Sequence, residues 1–325
     1  MASPLRVAVA GASGIGKHHA KWHHLAGAAV VGFLGRSESS CAATARTLVE
    51  VFPFAGRGYW DLDRLLEQER PDVVDVCMPA ECHFDCARRA LETGCHVLCE
   101  KPLVWQPGLP SGALLEQGRE LVAVARQRGL RLGVCTQYAA SQPQYLRLHQ
   151  AVRGRPDRIS CFCAEMETLG RGRNRDAEAV WMDMGAHPLS LLLGWLPGGD
   201  IVPGTLQVEF TGTAARAVFD FQAGQTRCRS ELVVRDLGAG PTARRFGVNG
   251  FVADCEGRAD STGVYRTVLR HGQTEDVGED LMSVLIAQFD GAVQDPARAL
   301  LVPGETGLRN LELQMHILSQ ARASR

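Results

Sequence analysis

Several things are scarce in these 325 residues, and each scarcity closes a possibility. Charge of one sign is missing. The 35 Lys and Arg are balanced by 36 Asp and Glu, a formal net charge of −1. Nothing electrostatic therefore favours nucleic acid or a membrane surface as the main partner. Long apolar runs are missing, and none approaches the roughly 20 residues of a membrane-spanning helix. Met1-Ala-Ser-Pro-Leu-Arg shows none of the zones of a secretory signal, so a cytoplasmic location is expected. Paired cysteines are missing as well. The 11 cysteines are odd in number, and Cys82/Cys86, Cys95/Cys99 and Cys161/Cys163 form no C-x-x-C pair and no paired zinc pattern. In a reducing compartment they read as buried thiols acting as small hydrophobes. There is no internal repeat and no low-complexity tract. Hydrophobic content of 45% and charged content of 22% fit a soluble globular enzyme, and the length suits two domains.

What is present begins with Val7-Ala-Val-Ala-Gly-Ala-Ser-Gly-Ile-Gly16. Leu5 to Ala10 reads as a buried strand, the glycine-rich stretch as a tight turn, and Lys17 onward as a helix running to about Leu25. Strand, turn and helix are the context that a dinucleotide-binding fingerprint requires. Gly11, Ser13, Gly14, Ile15 and Gly16 would bring backbone N–H groups and a helix N-terminus to a pyrophosphate. Ser13 stands where the motif usually has its middle glycine. A second strand, Ala29 to Leu34, ends at Gly35-Arg36-Ser37, where an NAD-selective site carries an acid for the ribose 2′-hydroxyl. A guanidinium and a hydroxyl there suit a 2′-phosphate, so NADP is preferred over NAD as cofactor, with Glu38 close enough to blur the choice. His19 and His23 stand four apart on one helical face, a spacing two metal ligands can use. No carboxylate lies near them in sequence, and no metal is expected.

The alternation continues. Helices are expected over Ser39–Val49, Asp61–Glu69 and Cys82–Thr93. Strands are expected over Val73–Met78 and His96–Cys99, the latter running straight into Glu100-Lys101-Pro102. Such regularity implies a doubly wound parallel sheet of Rossmann type, in which ligands bind beyond the carboxyl ends of the strands. The glycine turn, Arg36, Pro79 to His83, Glu100 and Lys101 all fall at such ends. A further helix (Leu114–Arg128) and strand (Leu130–Thr136) complete a first domain, 1–137. Residues 138–325 form a second α/β domain for substrate binding and oligomerisation. Its strands, at Ile159–Glu165, Thr205–Thr211, Ala217–Phe221, Arg229–Val234 and Val264–Leu269, predict a mainly antiparallel open sheet. Covering that sheet's face favours a homodimer or homotetramer. Two closing helices are read over Glu279–Val293 and Glu305–Ala321.

The strand ending in Glu100-Lys101-Pro102, preceded by Ala-Leu-x-x-Gly-x-His-Val-Leu from Ala90 to Leu98, resembles the glucose–fructose oxidoreductase, inositol dehydrogenase and rhizopine-catabolism family, Gfo/Idh/MocA. Asp75-Val-Cys-Met-Pro followed by His83, Asp183-x-Gly185-x-His187, and Gly304-Glu305-x-Gly307-Leu308-Arg309-x-Leu311-Glu312 keep the family's order. The resemblance implies NAD(P)-dependent hydride transfer to or from a secondary alcohol or ketone of a sugar, a cyclitol or a related polyhydroxylated small molecule. It places Lys101, Asp183 and His187 around the reacting hydroxyl as catalytic residues.

The chemistry needs one proton acceptor, because the hydroxyl loses a proton as its carbon loses hydride. Lys101 and His187 both qualify, and the sequence leaves open which acts. Pro188 confines a helix start to near Gly185, which predicts Asp183 at or just before that helix N-terminus and His187 in its first turn. Two departures from the family bear on the substrate. Ser190 replaces a frequent acid, and Glu178-Ala-Val-Trp181 replaces a glycine run. Tyr138, Trp181 and the basic loop Arg171, Arg173 and Arg175 are the candidate substrate contacts, the arginines suited to a phosphate or carboxylate. Two other uses of the scaffold stay open: redox-assisted elimination with a recycled cofactor, and a non-catalytic dinucleotide sensor.

Overall fold

Strand β1 (Arg6–Ala10) is buried along its last four residues. An unbroken apolar run of this kind belongs to a parallel sheet covered on both faces. The strand lies between β2 (Ala29–Leu34) and β4 (Val73–Val76), with β3 (Arg57–Tyr59) outside β2 and β5 (His96–Glu100) and β6 (Leu132–Cys135) beyond β4. All pairings in this six-stranded sheet are parallel, in the order β3-β2-β1-β4-β5-β6. The intervening helices are α1 (Gly16–Leu25), α2 (Glu38–Val51), α3 (Leu62–Glu69), α4 (His83–Glu92) and α5 (Ser111–Gln127). The computed structural model describes residues 3–156, 158–170, 172, 174–261 and 263–324.

β3 is absent from the sequence reading for a physical reason. It is three residues long with a glycine at its centre, so it shows no alternation. Gly56 and Gly58 are needed there: a Cβ would stand 2.6 Å from the Val31 carbonyl oxygen at the first and 2.8 Å from the Phe33 ring at the second.

The second unit begins at Thr136. It contains α6 (Gln142–Arg153), unforeseen in the sequence, then β7 (Cys161–Leu169), α7 (Ala177–Met184) and α8 (Ala186–Trp195). Strands β8 (Asp200–Ile201), β9 (Gln207–Thr211), β10 (Ala214–Ala223), β11 (Thr226–Leu237), β12 (Arg244–Val248), β13 (Phe251–Ala259), β14 (Tyr265–His271) and β15 (Thr274–Glu279) follow. They join β7 in one nine-stranded sheet whose central order is β13-β12-β7-β11-β10. Every pairing is antiparallel except β7 with β11. Along β11 one set of alternate residues is buried, while the other carries Arg227, Arg229, Glu231 and Arg235.

The chain then departs from the linear division at 137/138. Residues Met282–Leu308 belong to the first unit, and the second resumes at Arg309. Helix α9 (Leu281–Gln294) returns because Leu285, Ile286 and Phe289 complete the apolar cluster of Val7, Val9 and Leu98. Gly133 of β6 makes room for the Phe289 ring, which a Cβ would meet at 2.8 Å. The closing helix α10 (Gly304–Ala323) starts with two more glycines of this kind. A Cβ at Gly304 or Gly307 would reach Leu132 at 2.7 Å or Val134 at 2.3 Å. The terminal Gly-x-x-Gly motif therefore serves packing of the first unit. Phe289→Ala should destabilise the protein by about 3–5 kcal/mol, read as a fall in the midpoint of urea unfolding with the slope unchanged.

Candidate active site

The turn after β1 is built on close backbone approach. Gly11 has φ of +93°, and a Cβ there would stand 2.8 Å from the Cys77 carbonyl oxygen. A Cβ at Gly16 would stand 2.5 Å from the Gly11 carbonyl oxygen. Gly14 faces open space, with no atom within 4 Å of a Cβ built on it, and Ser13 beside it is exposed. Helix α1 starts directly behind. Its N-cap, Ile15, supplies no side-chain hydrogen bond, and no acid lies in its first turn. The positive end of this helix is thus left for an anion. Gly11, Ser13 and Gly14 line a cleft of about 1280 Å³ together with Arg36, Trp60 and Pro79. That volume exceeds the ~300–1,000 Å³ of ordinary small-molecule pockets. Phosphate-sized backbone access, a helix dipole, a cation and an aromatic plane along one cleft fit a dinucleotide.

Trp60 was missed from sequence. It is 52% exposed, an unusual position for tryptophan, and it follows β3 directly. An exposed aromatic at a strand's carboxyl end was the available signal, hidden because β3 itself went unread. Arg36 is exposed at the rim, and its backbone N–H donates to the Ser40 hydroxyl. Ser37 is the N-cap of α2: its hydroxyl accepts the Ser40 N–H at 3.2 Å, and the Ser40 hydroxyl accepts the Ser37 N–H at 3.0 Å. The Ser37 hydroxyl is thereby partly committed to the helix start.

The other strand ends carry His83, Glu100 and Lys101. His83 is 1% exposed, with its two ring nitrogens each 2.9 Å from a carbonyl oxygen, those of Met78 and Pro102. Burial draws its proton affinity down, against the pull of those carbonyls. The expected cofactor contact is corrected: His83 ties the end of β4 to the segment after Lys101. The Lys101–Pro102 bond is cis. The Lys101 N–H donates to Glu100 Oε2 at 3.1 Å, and Glu100 Oε1 lies 3.2 Å from His19 Nε2.

His19 and His23 have carboxylates in space where sequence offered none. His19 Nδ1 lies 2.8 Å from Asp75 Oδ2, and His23 Nε2 lies 3.0 Å from the same oxygen. His23 Nδ1 lies 2.9 Å from Asp290 of α9. All of these side chains are nearly or wholly buried. Burial opposes charge on the rings, but the facing carboxylates overcome it, holding His19 well above the ordinary range and His23 at about 9. Burial would raise Asp75, but the two histidines drive it far below the usual carboxylate range. Among the described residues, His19, Asp75 and Cys77, and His19, Glu100 and Cys135, approach metal-ligand spacing. Both His19 nitrogens are already within hydrogen-bond distance of carboxylates.

In the second unit the Asp-x-Gly-x-His segment is split between two helices that meet at Gly185. Asp183 lies in the last turn of α7, not at the N-terminus of α8. Pro188 has no N–H to offer the Met184 carbonyl, so the helices divide at Gly185. Gly185 is required because a Cβ would stand 2.7 Å from the Trp181 carbonyl oxygen and 3.0 Å from its ring. His187 is buried in the first turn of α8, edge-on to Tyr138 with ring centroids 5.0 Å apart. Ser190 bonds the Thr136 hydroxyl at 2.6 Å. Two proposed substrate contacts are corrected. Trp181 is fully buried, and its indole N–H donates to the Gln314 carbonyl at 3.1 Å, which makes it core. Arg175 is partly buried between Asp183 at 2.5 Å and Asp236 at 2.7 Å, so its charge is spent on carboxylates. Arg171 and Arg173 lie outside the described residues. All 11 cysteines are free thiols. Among the described residues no helix is long and apolar enough to cross a membrane.

Residues 5–136 match the sequence model described as GFO_IDH_MocA, oxidoreductase family, NAD-binding Rossmann fold. D-glucoside 3-dehydrogenase of Escherichia coli is 35% identical over 136 residues, 39% of this chain and 33% of that protein. The chain thus matches about a third of that relative's length. UDP-N-acetylglucosamine 3-dehydrogenase of Acidithiobacillus ferrooxidans is 26% identical over 66% of this chain and 60% of its own. A solved structure of that enzyme superimposes with a TM-score of 0.73 at 22% identity, covering 99% of both chains. An inositol dehydrogenase homologue of Azotobacter vinelandii complexed with NADH and myo-inositol gives 0.72 at 20% identity, over 99% of this chain and 97% of that one. At these identities the structural likeness shows the fold.

The buried histidines make stability depend on pH. His23 moves from about 6.5 unfolded to about 9 folded, so its contribution is complete below about pH 6.5 and lost as pH rises through about 9. Asp75 has the opposite sense: its contribution is present above the ordinary carboxylate range and lost as pH falls below it. The melting temperature should fall across about pH 8 to 10, and His23→Gln should melt lower at neutral pH with a flatter alkaline profile.

Proposed function

We propose, from the match of residues 5–136 to the Gfo/Idh/MocA oxidoreductase family, that the chain is a member of that family and an NADP-preferring dehydrogenase or reductase. Its substrate is a secondary alcohol or ketone of a sugar, cyclitol or related polyhydroxylated small molecule. The observation that carries the reading is the glycine turn opening onto the uncapped start of α1, in one cleft with Arg36 and Trp60. The turn and helix end would hold a pyrophosphate, Arg36 a 2′-phosphate, and Trp60 would stack on the adenine. A bound nicotinamide supplies the acceptor or donor of hydride.

Lys101 and the Asp183–His187 pair serve the substrate hydroxyl. In oxidation the carbon gives up hydride while the hydroxyl proton passes to Lys101 or His187; reduction returns both. Asp183 is itself fixed by Arg175. Tyr138, edge-on to His187, limits how that ring can turn. The names of the glucoside, UDP-sugar and inositol relatives support a polyol substrate. Self-association would use the outer face of the nine-stranded sheet, which carries paired charges such as Arg245 with Glu165. The interface would be polar, and a solution mass of one chain would remove it from the proposal.

Titration with NADPH and with NADH, followed by quenching of tryptophan fluorescence, tests the cofactor assignment. NADPH should bind at least about tenfold more tightly, a difference of ~1.4 kcal/mol. Arg36→Ala should abolish most of that preference, and equal affinities in the unmutated protein would refute the Arg36 role. With a turned-over polyol in hand, Lys101→Met should lower kcat by about 10²–10⁴-fold while NADPH still binds. Turnover without net change in cofactor absorbance would assign redox-assisted elimination instead.

A further inference from the structure

Five ionisable side chains stand in line through the first unit. Glu100 of β5 meets His19 of α1, His19 meets Asp75 of β4, Asp75 meets His23 of α1, and His23 meets Asp290 of α9. The four contacts run from 2.8 to 3.2 Å, and each joins a ring nitrogen to a carboxylate oxygen. An ionised carboxylate only accepts, so each contact needs a proton between its two atoms. The line therefore holds four protons. Three carboxylates and two imidazoliums leave a single net negative charge over the five groups. The other titratable groups against His19 are the thiols of Cys77 and Cys135, and burial raises both so that they stay neutral.

A core built for stability alone is better filled with apolar residues than with a row of charges. The row ends on a carboxylate whose two oxygens are both engaged. Glu100 Oε1 faces His19, and Oε2 accepts the Lys101 N–H. We propose that His19, Asp75, His23 and Asp290 form a proton-loaded positioning relay that acts through Glu100 to fix the turn presenting Lys101. It rests on the reading of Lys101 as a residue of the dinucleotide site. Loss of one proton anywhere along the line turns one hydrogen bond into a contact between a lone pair and a carboxylate. The strain passes to the neighbouring bond, and so to Glu100 and the Lys101 backbone. The remote member, Asp290, thereby influences a site it does not touch.

The test uses full-length protein labelled with ¹⁵N-histidine, and NADPH as probe. In the unmutated protein two histidine rings should remain doubly protonated at about pH 8, where exposed histidines are neutral. NADPH affinity should hold to that pH and weaken above it. Asp290→Asn removes the charge that keeps His23 loaded. One ring should then lose its second proton at least about one pH unit lower, and the ratio of NADPH affinity at about pH 6 to that at about pH 9 should rise roughly tenfold. A merely structural Asp290 would lower the melting temperature and leave that ratio alone, which overturns the relay. If Asp290→Asn does not fold, His23→Gln serves. It leaves Asp75 to His19 alone, so the weakening should move to higher pH, and an unmoved or lowered transition overturns the proposal. Protein that binds no NADPH at any pH refutes the dinucleotide reading as well, whereas binding with an unshifted profile refutes the relay alone.

Discussion

The first unit depends on how closely β1, β4 and α1 can approach at one point. At Gly11 the chain runs against the Cys77 backbone, and Gly16 runs against Gly11, with no room for a methyl group at either. A side chain at Gly11 would also have to adopt a backbone conformation of φ near +93°. This contact brings the start of α1 to the carboxyl edge of the sheet. It leaves that helix end without a cap or an acid, and it sets His19, three residues into the helix, beside Asp75. An anion site in front and a buried charge network behind thus follow from the same two glycines.

Much of this was legible from residue order alone. The continuous apolar strands, the glycine turn and the regular alternation yielded the parallel sheet, because a strand buried on both faces must read as an unbroken run. Ser37 and Asp61 cap α2 and α3 through side chains whose types announce that role. The illegible parts share a cause: their partners are distant along the chain. Asp75 and Asp290 lie 52 and 267 residues from His23, so the pair on α1 looked solitary. Arg175 looked like an anion receptor because Asp236, 61 residues on, was invisible to spacing. Trp181 looked like a pocket wall until Gln314 took its indole N–H. β3 escaped because it is three residues long with a glycine at its centre, and the return of α9 because its fit depends on Gly133, far away along the chain.

The corrections sharpen the candidate site. The second unit commits its arginine to Asp183 and Asp236 and its tryptophan to the core, and it sets His187 edge-on to Tyr138. The first unit commits His83 to backbone carbonyls and Glu100 to His19, and it lines the cleft with Arg36 and Trp60. Internal pairing thus separates the groups that set geometry from Arg36 and Trp60, which line the cleft. The same separation explains the motif at the head of α10: its glycines serve Leu132 and Val134, while Arg309 pairs with Asp200 and Glu312.

The most direct measurement is a crystal structure of the protein with NADPH. The account predicts the pyrophosphate on the Ser13–Gly16 turn at the head of α1, the 2′-phosphate on Arg36, the adenine against Trp60 and the nicotinamide beside Lys101. A nucleotide bound elsewhere, or a nicotinamide turned away from Lys101, would contradict it.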